Sequence, residues 1–326
     1  MLLKMTQKER FIKALKREPL TGLVPTFELV FFLTMEAFGK VHPLHRTYSQ
    51  WNQMSRIEQK LQIDDMAQVY VDIAEKYDHS AILVHQPWGD NGQWFNEVKE
   101  LLFSIREKSG DKYFLMMHGD PTYAMPDGDN MIEFSAQLFE HEDEMKQNAQ
   151  NNVEYVKAFA EDMSKHKLLD GFALCSDYCF NTQPFFSPDM FTDFVAPYLA
   201  QICTAYREMG YYSIKHTDGN INPIVEQMVQ CGPDALHSID PQGGVVLKDI
   251  KAKYGDRVAL IGNVNCGLLQ TGTQEEADED VRRSLREGLS DGGRGYIFAT
   301  SNCVYTGLDI KRYERMQEIW RTEGVI

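Results

Sequence analysis

No run of about 18 apolar residues occurs anywhere in the 326-residue chain, so nothing in it reads as a transmembrane helix. The N-terminus, Met1-Leu2-Leu3-Lys4-Met5-Thr6-Gln7-Lys8, lacks the apolar centre of a secretory signal. Met5 serves as a start as well as Met1, which would make Met1 to Lys4 an upstream addition. The expected compartment is cytoplasmic. Basic charge is also short: 33 Lys and Arg stand against 48 Asp and Glu, a formal net charge of -15. That balance argues against nucleic acid and anionic lipid as partners, because both are held by basic patches. The acid is spread along the chain, as at 140–144 and 275–280, and reads as solvated helix faces.

Paired cysteines are missing too. Cys175, Cys179, Cys203, Cys231, Cys266 and Cys303 include no C-x-x-C pair, and a disulfide framework is not expected in a cytosolic chain of this length. They read as reduced, mostly buried thiols, with one or two free to act as ligands. No Pro/Ser-rich linker separates two halves, so the expectation is one domain over residues 1–326.

What is present is a repeated strand-then-helix pattern, with 43% hydrophobic residues to fill a large core. Strands are predicted at 23–28, 80–86, 112–118, 171–177, 211–216, 235–240, 258–263 and 295–300. Helices are predicted at 6–16, 57–77 and 140–165. Another, over 187–210, has Ser187 as N-cap, Pro188 in its first turn and Gly210 at its end. Thr273 and Glu276 form a capping box for a further helix. About eight such units favour an α/β fold of the (β/α)8 TIM-barrel type, a single domain with an N-terminal helical extension.

In such a barrel the C-terminal strand ends meet at one mouth. That mouth would gather Glu28, Gln86, His118, Asp177, His216, Asp218, His237, Asp240, Asn263, Asn302 and Cys303. Lys215 is the one basic residue at those ends, and alternation turns it outward if His216 turns in. The site is therefore acidic and imidazole-rich, suited to a divalent metal or a neutral or cationic group and ill suited to a polyanion. Each of these residues also has a plain structural reading: a histidine closing a strand readily serves as a hydrogen-bonding core residue, and Asp240-Pro241 readily starts a turn.

Several ordered segments resemble the uroporphyrinogen decarboxylase superfamily, which includes zinc-dependent methyltransferases acting on corrinoid proteins. They are Lys215-His216-Thr217-Asp218-Gly219-Asn220, the stretch from Gly232-Pro233-Asp234 to Asp240-Pro241, Tyr254-Gly255-Asp256-Arg257 through Asn263-Val264, and Gly295-Tyr296-Ile297-Phe298. The resemblance runs from about Lys8 to Met316 and implies a (β/α)8 barrel with its site at the C-terminal mouth. The decarboxylases carry an arginine pair just after the first strand; here Phe27-Glu28-Leu29-Val30-Phe31-Phe32 has none. Gln86 stands at the decarboxylase aspartate, and Asn302 near its late histidine. Without paired donors for a polycarboxylate, uroporphyrinogen itself is a poor substrate.

The methyltransferase branch binds zinc through His-x-Cys on the fifth strand and a later Cys near the eighth. This chain has His216-x-Asp218, with Cys303 displaced by about one residue. The resemblance thus implies a corrinoid-dependent, zinc-dependent methyltransferase with His216, Asp218 and Cys303 as metal ligands, Glu28 being the alternative to Cys303 for completing the site. Carboxylate in place of thiolate makes the metal harder, which brings methoxy- or methylamine-type substrates alongside thiols. Asp177, His237 and Asp240 are the expected catalytic residues; Glu28, Gln86, His118, Asn263 and Asn302 are expected to bind substrate. The expected partners are a methyl-corrinoid protein, a small-molecule methyl donor or acceptor, and a second copy in a homodimer. A decarboxylase-type lyase on a smaller substrate, or a non-catalytic member binding a small molecule or corrinoid, are the alternatives.

Overall fold

The computed structural model describes residues 5–88 and 94–326; the choice between Met1 and Met5 as start rests on residues 1–4, outside the described residues. Among the described residues seven strands form one sheet: β1 (Ala81–Val84), β2 (Phe114–His118), β3 (Gly171–Leu174), β4 (Tyr212–His216), β5 (Ala235–His237), β6 (Ala259–Val264) and β7 (Tyr296–Thr300). They lie in chain order, each parallel to the next. Parallel neighbours need crossovers, and helices in those crossovers cover the outer face. The result is an α/β fold built on a curled, all-parallel seven-stranded sheet.

The stretch predicted as the first strand, 23–28, is not a regular strand. Pro25 lacks an N–H and cannot donate to a ladder, so isolated bridges replace it: Leu23 with Val325, antiparallel, and Thr26 with Phe298, parallel. The segment bonds to both ends of the sheet all the same. Phe27 N donates to Phe298 O at 3.1 Å, and Ser80 N, just ahead of β1, donates to Thr26 O at 2.7 Å.

The helix predicted over 187–210 is two helices, Pro188–Phe194 and Ala196–Glu208. Pro197 has no N–H for the carbonyl four residues back, and the chain breaks at Val195 (φ -123°, ψ -55°). The other helix predictions match closely: Gln7–Leu15, Arg56–Lys76, Glu142–Ser164, and Gln274–Gly288 with its Thr273–Glu276 capping box. Among the described residues no helix is long and apolar enough to cross a membrane.

Alternation along the strands decides what lies inside the curl. Leu83, Met116, Ala173, Ile214, Ala235, Ile261 and Ala299 belong to one buried cluster together with Phe11, Leu15 and Phe27. The N-terminal helix lays Phe11 against Phe114 (4.8 Å between ring centroids) and Phe27 (5.9 Å). Apolar packing thus fills the interior around that helix. Two residues beyond each inward apolar residue, at the C-terminal strand ends, the same row continues into polar chemistry.

Candidate active site

Continuing the inward rows by two positions gives His85 after Leu83, His118 after Met116, Cys175 after Ala173, His216 after Ile214, His237 after Ala235 and Asn263 after Ile261. His216 and His237 are register partners on β4 and β5, so their rings share one face. Their Nδ1 atoms lie 2.7 Å apart, and His237 Nε2 lies 3.2 Å from Thr300 O.

These contacts determine the protons. A carbonyl oxygen only accepts, so His237 Nε2 carries the hydrogen. Burial, then His216, holds the His237 imidazole neutral, well below its ordinary value. Its Nδ1 is therefore a bare acceptor, and His216 Nδ1 donates to it. Burial, then Lys215, depresses His216 to about 3, which leaves its Nε2 as a bare lone pair.

That lone pair faces two carboxylates. His216 Nε2 lies 3.7 Å from Asp177 Oδ1 and 3.8 Å from Asp218 Oδ1. Ligand atoms of Asp177, His216 and Asp218 all fall within 4.8 Å of one another. Asp177 Oδ1 also accepts from Asp218 N at 3.1 Å, and Asn302 Nδ2 donates to Asp218 Oδ2. Asp218 Oδ1 is buried with no hydrogen-bond partner among the described residues. Burial, then Asp177 and Asp240, pushes the Asp218 carboxyl up to about 8; burial raises Asp177 as well. Of these three converging acceptors only Asp177 Oδ1 has a donor, the Asp218 amide, and the arrangement calls for a shared cation or a bound proton.

The uroporphyrinogen decarboxylase family profile matches residues 123–322, more than half of the chain. The chain belongs to the uroporphyrinogen decarboxylase family. No curated protein matches it by sequence. Among solved structures it is similar to a methyltransferase from Methanosarcina mazei, at 18% identity and a TM-score of 0.70, covering 97% of this chain and 99% of that one. A beta-mannanase from the blue mussel Mytilus edulis, at 10% identity and a TM-score of 0.46, covers 85% of this chain and 86% of that one. The first likeness speaks for the fold alone, and the second carries no argument.

Of the expected metal ligands, two fall in one tight group. His216 and Asp218 come together, joined by Asp177 from the loop after β3, while Cys303 lies outside that group. Burial, then Cys266 and Asp218, raises the Cys303 thiol far above its ordinary value. Asp240 accepts from Gly219 N at 3.0 Å and Gln242 N at 2.9 Å, tying the loop after β4 to the loop after β5. Gly219 (φ +78°) is required at that tie, since a Cβ would stand 2.6 Å from Phe180 O. His237 uses both ring nitrogens internally. So does the Asn263 side chain, which donates to Ile239 O at 2.7 Å and accepts from Arg283 Nη1 at 3.1 Å.

Gln86 and His118 line a cavity of about 300 Å³ with Asp120, Asn152, Tyr155 and Phe159. Glu28 accepts from Thr300 N at 3.2 Å and from the Thr300 hydroxyl. Two residues escape the sequence reading. His85, in hydrogen bond with His118 at 2.8 Å, was findable by strict alternation from Leu83; Asp120, the partner of Lys215, had no local signal.

Proposed function

We propose that this chain is a metal-dependent methyltransferase. It would move a methyl group between a small substrate of methoxy, methylamine or thiol type and a corrinoid carried by a partner protein. The observation that carries this reading is the convergence of the bare His216 Nε2 with the Asp177 and Asp218 carboxylates. One imidazole and two carboxylates supply three protein ligands, the number a catalytic zinc site uses while it keeps a further position open. His216, Asp218 and Asp177 would hold the ion. When bound, zinc polarises the atom it meets and lowers the pKa of an acceptor.

The remaining residues act on position and protons. His237 presents the His216 lone pair, Asn302 orients Asp218, and Asp240 ties the β4 and β5 loops beneath the site. Gln86 and His118, on the wall of the neighbouring cavity, are the proposed substrate contacts. The proposal includes a single cytoplasmic domain with a closed (β/α)8 barrel, in which residues 23–28 serve as the first strand; their bonds to Phe298 and Ser80 support it.

One observation favours a decarboxylase-type lyase instead. An Asp218 carboxyl raised to about 8 keeps its proton near neutral pH, and a metal-free site could deliver that proton to substrate carbon. Element analysis by X-ray fluorescence separates the two. Protein grown in zinc-replete medium should hold near-stoichiometric zinc, and His216→Ala should lose it together with methyl transfer. A zinc-free preparation that releases CO2 from a small carboxylic acid would replace the first reading with the second.

A further inference from the structure

A single hydrogen-bonded line leads away from the metal cluster. From His216 on β4 it passes to His237 on β5, then skips β6 to reach the carbonyl of Thr300 at the end of β7. Thr300 is held in turn by Glu28, which takes both its backbone N–H, at 3.2 Å, and its hydroxyl. The same hydroxyl lies 3.2 Å from Asn302 O. Two bonds to one carboxylate oxygen fix the residue whose carbonyl orients the His237 ring. Glu28 is 5% exposed and His237 1%, so neither bond has a ready substitute in water. The Glu28 Oε2 atom turns to β7 and not to the carboxylate cluster.

We propose that Glu28 is a positioning residue which, acting through Thr300 and His237, sets the ring nitrogen that His216 presents to Asp177 and Asp218. Losing Glu28 frees the end of β7 to shift. The Thr300 carbonyl then no longer holds the hydrogen on His237 Nε2, and the His216 tautomer becomes a mixture. Partners one step removed from a metal ligand typically change metal affinity by about 10- to 100-fold. The affinity consequence rests on the metal reading above; the tautomer consequence does not.

The test uses full-length protein with 15N-labelled histidine. In metal-free wild type, the resonance lost in His216→Gln should report Nδ1–H and a bare Nε2. Glu28→Leu should give mixed or reversed tautomer signals and zinc binding weaker by about 10-fold, the lower end of the range for direct partners of a ligand, because Glu28 acts from beyond His237 and Thr300. Glu28→Gln, whose amide oxygen can still accept from Thr300, should keep the wild-type tautomer and bind zinc within about threefold. A folded Glu28→Leu protein with an unchanged tautomer and affinity overturns the proposal. Should that variant fail to fold, Glu28→Ala decides: it removes the acceptor of both Thr300 bonds without adding apolar bulk, and an unchanged tautomer in it is equally fatal. If wild type binds no zinc while the tautomer still responds to Glu28, the metal reading falls and the positioning role stands.

Discussion

The ammonium of Lys215 and the carboxylate of Asp120 meet at 2.8 Å, with side chains 0% and 7% exposed. Lys215 Nζ also donates to Leu174 O and Ser176 O and sits 4.0 Å from the Tyr178 ring centroid. Burial alone would raise the Asp120 carboxyl, but the charge and hydrogen bond of Lys215 bring it net below its ordinary value. Lys215 follows the outward row while its neighbour His216 follows the inward one. The lysine of β4 is thus paired with Asp120, and neither Asp177 nor Asp218 forms a lysine salt bridge among the described residues.

Removing that ammonium leaves a buried carboxylate unpaired. Lys215→Met should cost about 3–5 kcal/mol of unfolding free energy, and Lys215→Met with Asp120→Leu should recover a large part. Urea denaturation of both variants and of Asp120→Leu alone closes the cycle, and single losses that simply add in the double variant would show that the pair is not coupled.

Acid should destabilise the metal-free protein through its buried histidines. Burial, ahead of neighbouring charges, pushes His42 and His79 down to about 3 from an ordinary 6.5. The folded state then binds fewer protons than the unfolded state between those values, so stability falls as pH drops below 6.5. At pH 5.5 each such histidine costs about 1.4 kcal/mol. His79→Gln can keep a bond to Tyr313, whose hydroxyl lies 3.0 Å from His79 Nε2, and should lose part of the acid sensitivity in denaturation at pH 5.5 and 7.5.

Glu28 has the opposite sign. Burial raises it from 4.5 to about 8, so the folded state binds more protons than the unfolded one across that window. Its contribution is complete below pH 4.5 and is lost as pH rises through about 8. Glu28→Gln cannot ionise and should flatten this alkaline decline in melting temperature between pH 5 and 9; an unchanged slope would mean that Glu28 is ionised in the folded protein.

Seven strands are legible in the sequence because each is a short apolar run, and the strand-end chemistry follows from where those runs stop. The alternation that puts Ile214 and Ala235 inside also puts His216 and His237 inside, two residues on. The same rule points from Leu83 to His85, while Gln86, one residue on, lines the neighbouring cavity. The breaks at Pro25 and Pro197 show a different limit, since apolar pattern outweighs a missing N–H until the hydrogen bonds themselves are traced. Asp177 as companion of His216 and Asp218 depends on the fold of the loop after β3. Nothing in local sequence reports that Asp177 meets the Asp218 amide.

The chain should also unfold as one piece. Both ends are tied together: Val24 N donates to Gly324 O at 2.8 Å, Ile326 N to Gly22 O at 2.8 Å, and Trp320 Nε1 to Val24 O at 3.0 Å. The N-terminal helix, through Phe11 and Leu15, packs into the same interior cluster as Ile261, Ile297 and Ala299. A half cut anywhere in the middle would expose that interior and lose one of its walls, leaving apolar surface without cover. Limited proteolysis should accordingly yield intact protein and small peptides, with no stable fragment of about half the length, and calorimetry should show one transition. Two separately folded halves after cleavage would rule out the single-domain reading, and with it the idea that residues 23–28 join the two edges of one continuous sheet.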